Sequence, residues 1–346
     1  MSAQHPARTT ETADSEYEDL IGQWSDLEAA LAMVLARPHS VQDFAPKLRQ
    51  CDRWLQDLVA HDIDAALYLM FQLASTSTVG YSAAHALVCA TLCHILAQEL
   101  ELPAQERDSL VRAAFTMNIA MTALQDELAQ QREPLTPEQR AAVNRHPQAG
   151  QDLLEELHIS DELWLDVVAQ HHQPQPENVA LTGLSAQDRL ARILATIDRY
   201  AAMISPRKSR EGRSATDSVR AIVGQDSSLR DEVGLTLVRA VGLCPPGTLV
   251  RLDNAETAIV LRRSERANLP LVASVLDAKG QALPTPRLYH TVRGQPRIQS
   301  ALARSAVTVE LPQRAMVRLG LFAAHRSNTV SDSSLSRSFK LDPLSS

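Results

Sequence analysis

At 346 residues, with 45% hydrophobic residues and a net charge of −7, the chain can bury a large core and is too acidic for a general nucleic-acid binder, which needs a dominant basic face. Four cysteines (Cys51, Cys89, Cys93 and Cys244) lack C-x-x-C spacing and read as reduced core residues of a cytosolic protein rather than as a zinc or redox motif. No stretch approaches the ~18 consecutive apolar residues of a membrane span, and the polar first residues hold no apolar signal core, so a soluble, cytoplasmic protein is expected.

Residues 1–13 are Thr- and Glu-rich and read as a disordered leader. Residues 14–76 read as an N-terminal helical module, because apolar residues recur at helical spacing in EYEDLIGQWSDLEAALAMVLA, DFAPKLRQCDRWLQDLVAHD and DAALYLMFQLAS. Its stripe of Trp24, Leu27, Leu31 and Leu35 is read as core-facing, with a dimer face as the alternative. Helical periodicity continues over 77–243. Residues 244–326 change to β-type runs (TLVRL, TAIVLRR, LPLVASVLDAKG, RLYHTV, VTVELP, AMVRLGLF) separated by turn residues, and the Ser-rich 327–346 reads as a disordered tail. The expected fold is mainly α: a helical bundle with an N-terminal helical module and a small β-rich appendix.

The chemistry lies between Tyr81 and Asp198. His85 shares a helical face with Val88, Cys89, Leu92 and Leu96, so its imidazole should point inward. His146 follows a helix announced by Thr136, Pro137 and Gln139, a capping box with proline at its first position, and Pro147 should end that helix. His171 ends the run of Trp164, Val167 and Val168, with His172 next. Asp198 shares a helix side with Ala191, Leu194 and Ala201, beyond an N-cap at Ser185, and a buried carboxylate needs a partner or a metal. A single histidine of this kind is usually an ordinary core or surface residue; five such groups within one region raise the odds of a ligand role.

The order of His85, RAAFTMNIAMTAL, NRHPQAG, AQHH, ATIDRYAAM, PRKSR and CPPGTLVRL resembles the HD-GYP domain, a bacterial helical metal-dependent phosphodiesterase of cyclic di-GMP. The resemblance runs from about Tyr81 to Val260 and implies an HD-type helical bundle. It assigns metal-ligand positions to His85, His146, His171, His172 and Asp198, and basic ligand-phosphate positions to Arg207 and Arg210. The departures are as informative. Met117 and Asn118 stand where the family has its His-Asp pair, Tyr81 where it has a glutamate, and Val88 where it has an arginine. Gln173 to Glu177 replace the Gly-Tyr-Pro element.

Asn118 brings a neutral amide in place of a bridging carboxylate, and the Met117 thioether is a poor ligand for hard cations. The segment AAFTMNIAM should be a buried helix with Met117 packed in the space of a metal, and Asp126 and Glu127 should face solvent. The remaining ligands leave room for one weakly held divalent transition metal, iron or manganese. Three readings stand. The first is a hydrolytically impaired HD-GYP-like protein that binds cyclic di-GMP, a signalling protein or a second copy of itself. The second is an active phosphohydrolase with an altered metal site, and the third a scaffold with no small ligand. No nucleic-acid polymer and no membrane is expected as a partner.

Overall fold

The computed structural model describes residues 8–76, 80–173, 179–209, 212–223, 232–264, 266, 268–294, 296–307, 316 and 319–320. The described chain is mainly helical with a C-terminal antiparallel sheet. The helices are α1 (Arg8–Ala36), α2 (Phe44–His61), α3 (Ile63–Thr76), α4 (Tyr81–Glu99), α5 (Ala104–Thr116), α6 (Thr122–Gln130), α7 (Pro137–Glu156), α8 (Glu162–Gln170), α9 (Ala186–Ile204), α10 (Ala215–Val223) and α11 (Glu232–Val241). The strands β1 (Leu249–Leu252), β2 (Thr257–Arg262), β3 (Leu271–Leu276), β4 (Ala282–His290) and β5 (Ile298–Leu302) lie in the order β4-β3-β2-β1-β5.

Helix α4 is the centre of the bundle: every residue from Tyr81 to Ala97 is buried. Its polar residues must therefore find partners inside the protein. Around it, Trp24, Leu27, Leu31 and Leu35 of α1 all face the core. Two polar struts set the helices that carry the site. Arg189 of α9 donates from Nε and Nη2 to the Glu106 carboxylate of α5 at 2.7–3.0 Å. Asp161 caps α8 by accepting from the Trp164 backbone N–H at 3.1 Å and also accepts from Ser109 of α5, while the Trp164 indole donates to Thr116 at 2.8 Å.

The sheet packs one face on the helices through Leu249, Ile259, Leu261, Leu271, Ala273 and Val275. Its opposite face gathers Val250, Leu252, Ala258, Val260 and Val272, the alternation expected of strands buried on both sides. Arg262 and Arg263 at the end of β2 pair with Asp62 and Asp64 at the start of α3. Gly247, in the turn before β1, has φ +88°, and a Cβ there would meet the Tyr68 carbonyl oxygen at 2.7 Å. Only glycine lets this turn lie on α3.

Four expectations need correction. α1 begins at Arg8, inside the expected leader. α7 runs through Pro147 to Glu156. The last described strand is Ile298–Leu302, which has few of the β-branched residues that mark strands, and the described residues of AMVRLGLF (Met316, Leu319 and Gly320) are helical. Met117 and Asn118 do not lie within a helix: α5 ends at Thr116, and a 3-10 turn, Ile119–Met121, follows. Residues 1–7, the tail 327–346 and residues 308–312 of VTVELP lie outside the described residues.

Candidate metal centre

Among the described residues, side chains able to hold a metal form two groups, each with its donor atoms within 4.8 Å of one another: His146, His171 and His172, and His85, Cys89 and Asp198. The first group comes from α7 and the end of α8. Pro147 has no N–H to bond the Val143 carbonyl one turn back, and the His146 Nδ1–H donates to that oxygen instead, at 2.6 Å. His171, just past the last residue of α8, donates its Nδ1–H to the Val168 carbonyl at 2.7 Å. A carbonyl can only accept, so each Nδ1 carries the proton and each Nε2 presents a lone pair.

Those two lone pairs face each other at 3.2 Å. Burial lowers the proton affinity of both rings, that of His171 to about 3, with the His172 ring adding to the effect. Neutral imidazoles with opposed lone pairs repel, and a cation between them removes the repulsion. With metal–nitrogen bonds near 2.1 Å, 3.2 Å corresponds to a ligand angle of ~100°, within reach of a four- to six-coordinate site. The His172 ring, more exposed, lies tilted against His171 at 4.1 Å and edge-on to His146 at 5.1 Å, centroid to centroid. Gly150, one turn after His146, allows the close approach: a Cβ there would meet Val168 at 3.2 Å.

The second group joins α4 and α9. Asp198 Oδ1 accepts from His85 Nε2 at 2.8 Å, and the Cys89 sulfur lies 3.6 Å from the same nitrogen. Burial pushes the Asp198 carboxyl up, but the His85 hydrogen bond and charge, with the fields of His171 and His172, hold it well below the usual carboxylate range. Asp198 in turn raises the proton affinity of His146 and His171, against burial, so the two groups share one electrostatic environment. His85 Nδ1 is buried and has no hydrogen-bond partner among the described residues.

The substituted positions line this region. Tyr81 stacks on His85 at 5.7 Å, and its hydroxyl accepts from Arg207 Nε and Nη2 at 3.1 and 3.0 Å. Two donors of one expected phosphate-binding arginine are thus committed to a tyrosine; Arg210 lies outside the described residues, as do 174–178, where the Gly-Tyr-Pro element is replaced. Arg207 also lines a cavity of about 350 Å³ between the helices and the sheet, beside Arg213 and Ser214. Met117 is 1% exposed in the hydrophobic core, and Asn118 is half-buried. Together they line a void of about 10 Å³, room for one water at most.

Two features escaped sequence reading. Asp126, expected to face solvent, turns inward and accepts from the Ser82 backbone N–H at 2.7 Å, serving as a remote cap for α4, while Glu127 is exposed. The period of α6 gave no hint of this, because the receiving N–H belongs to a helix 44 residues earlier. Cys89 was read as core filler; its i+4 spacing from His85 was the one available signal.

A family profile described as HD domain matches residues 68–232. The cyclic di-GMP phosphodiesterase PA4108 of Pseudomonas aeruginosa is 30% identical over 213 residues, which are 60% of this chain and 50% of that protein. The chain therefore spans about half the length of this curated relative. A solved structure, Bd1817, described as an HDG"Y"P protein from Bdellovibrio bacteriovorus, is 16% identical with a TM-score of 0.47, covering 67% of this chain and 73% of its own.

Proposed function

We propose, from the premise that residues 68–232 form an HD domain of the HD-GYP-like family, that this protein is a hydrolytically impaired member that acts by binding a cyclic dinucleotide. The observation that carries the reading is the division of the donors: among the described residues, none belongs to both metal-capable groups. Two-metal phosphodiester hydrolysis needs cations about 3.5–4 Å apart, one to generate hydroxide and both to stabilise charge on the phosphate. A bridging carboxylate holds such a pair. The resemblance puts that carboxylate at Asn118, and beside it Met117 fills core in place of an imidazole.

The residues present still fit one divalent cation. Three imidazoles, two with their Nδ1 atoms tethered to backbone carbonyls, are ordinary ligands for zinc, iron or manganese. A single cation bound there would supply a Lewis acid toward a phosphate oxygen. Arg207 is less available for the ligand than its position in the sequence implies, because Tyr81 holds its guanidinium. Cyclic di-GMP is the ligand of choice because the relative that shares 213 aligned residues is named for it. No helix among the described residues is long and apolar enough to cross a membrane.

The test is turnover of cyclic di-GMP with Mn²⁺ and with anaerobic Fe²⁺, beside the double variant Met117→His with Asn118→Asp. The unaltered chain is expected to be at least ~100-fold slower than the restored one, the order of a lost metal-bound nucleophile, and to bind cyclic di-GMP in calorimetry. Equal turnover by the two proteins would favour the active enzyme with an altered site. Absence of both turnover and binding would favour the scaffold.

A further inference from the structure

We propose that Cys89 is a metal ligand, forming with His85 and Asp198 a thiolate-containing site that takes zinc in preference to manganese. The site is separate from the three-histidine group above and rests only on the HD-domain premise stated there. Cys89 and His85 are one helical turn apart on α4, so their side chains lie on one face, and α9 brings Asp198 across to them. The three donor atoms lie within 4.8 Å of one another. For zinc bonds near 2.3 Å to sulfur and 2.1 Å to nitrogen, the 3.6 Å between Cys89 Sγ and His85 Nε2 corresponds to an angle of ~110°, that of a tetrahedron. The shorter 2.8 Å contact between His85 and Asp198 is a hydrogen bond, and must open by a few tenths of an ångström when a cation replaces its proton.

Charge gives a second, independent reason. A dication held in a buried site is costly unless its ligands neutralise it. One thiolate and one carboxylate cancel two positive charges, so His85, Cys89 and Asp198 bind a divalent ion with no net charge left in the core. The three histidines cannot do this. Soft sulfur then sets the preference, because thiolate ligands select zinc, whereas manganese favours oxygen donors. Cys93, one turn further along α4 and 0% exposed, shows what a purely packed cysteine looks like on this helix: among the described residues it belongs to no donor group.

The experiment adds Co²⁺ to the metal-free full-length chain and records its absorption spectrum. Thiolate ligation produces a sulfur-to-cobalt charge-transfer band in the near ultraviolet. The band is expected in the unaltered protein and in Cys93→Ala, and absent in Cys89→Ala, with circular dichroism confirming that each is folded. Should Cys89→Ala fail to fold, Cys89→Ser takes its place. Competition between metals should favour Zn²⁺ over Mn²⁺, with a loss of at least ~10-fold in Zn²⁺ affinity in the Cys89 variant. Bound Co²⁺ without the band overturns the thiolate and leaves the histidine site standing. No Co²⁺ binding at all overturns both. A band that survives in the Cys89 variant assigns the ligation elsewhere and ends the proposal.

Discussion

Helix α4 carries two buried His–Asp pairs, and the same two residue types do different work in each. His94 Nε2 lies 2.7 Å from Asp52 of α2, and His85 Nε2 lies 2.8 Å from Asp198 of α9. The His94 pair is closed. Both side chains are 5% exposed, and Gln56 also donates to Asp52. Burial pushes the Asp52 carboxyl up, but the His94 and Gln56 hydrogen bonds and the Arg112 charge hold it below its ordinary value. The His85 pair is open: Asp198 is 17% exposed, a thiol approaches the shared nitrogen, and three more imidazoles stand within the field of the carboxylate. A His–Asp pair is a strut or a site according to what else its atoms can reach.

The largest effect that separates the two pairs is on stability. His94→Ala leaves a buried carboxylate without its main partner and should cost about 3–5 kcal/mol in urea unfolding, with little change in metal affinity. His85→Ala should cost less, about 1–3 kcal/mol, because Asp198 can rehydrate, and should abolish metal binding by its group. Equal destabilisation by the two variants would erase the distinction.

Acid sharpens it further. Folded His171 takes a proton only near pH 3, against 6.5 for a free imidazole, so within that window the unfolded chain holds a proton that the folded chain refuses. Stability of the metal-free protein should therefore fall as pH falls from 6.5, with a slope of up to ~1.4 kcal/mol per pH unit from this group. His171→Gln should flatten the slope measured between pH 7 and 5. The Asp52 carboxyl, held low, contributes stability that is lost only below its ordinary value of 3.8, outside that range. The smallest effect sets the scale: Thr136→Ala removes the cap of α7 and should cost ~1 kcal/mol while leaving metal binding unchanged.

Much of the helical fold was legible because its signals are local. The capping box at Thr136 and Gln139, the Ser185 cap of α9 and the periodicity of α1 to α3 each depend on residues within a few positions. The His94–Asp52 pair was invisible, since its members are 42 residues apart and neither breaks a pattern. The candidate site was legible through family order, which placed His85 and Asp198 at ligand positions 113 residues apart, and the structure sets these two side chains 2.8 Å apart. What failed were inferences that treated one residue as decisive. Pro147 was read as a helix stop, yet α7 absorbs the missing hydrogen bond through His146. Met117 was read as mid-helix from its apolar neighbours, although core burial is equally compatible with the turn it occupies.

The proline inside α7 makes stability and ligand geometry competing properties. Pro147→Ala would return an N–H to the Val143 carbonyl and strengthen the helix, as proline removal from a helix interior ordinarily does. The same N–H would compete with the His146 imidazole for that oxygen, freeing the ring to rotate and to move its proton to Nε2. A better helix would then hold a worse ligand. Selection for a robust fold alone would discard this proline, so tuning the chain for thermostability at position 147 would loosen the orientation of the His146 ring.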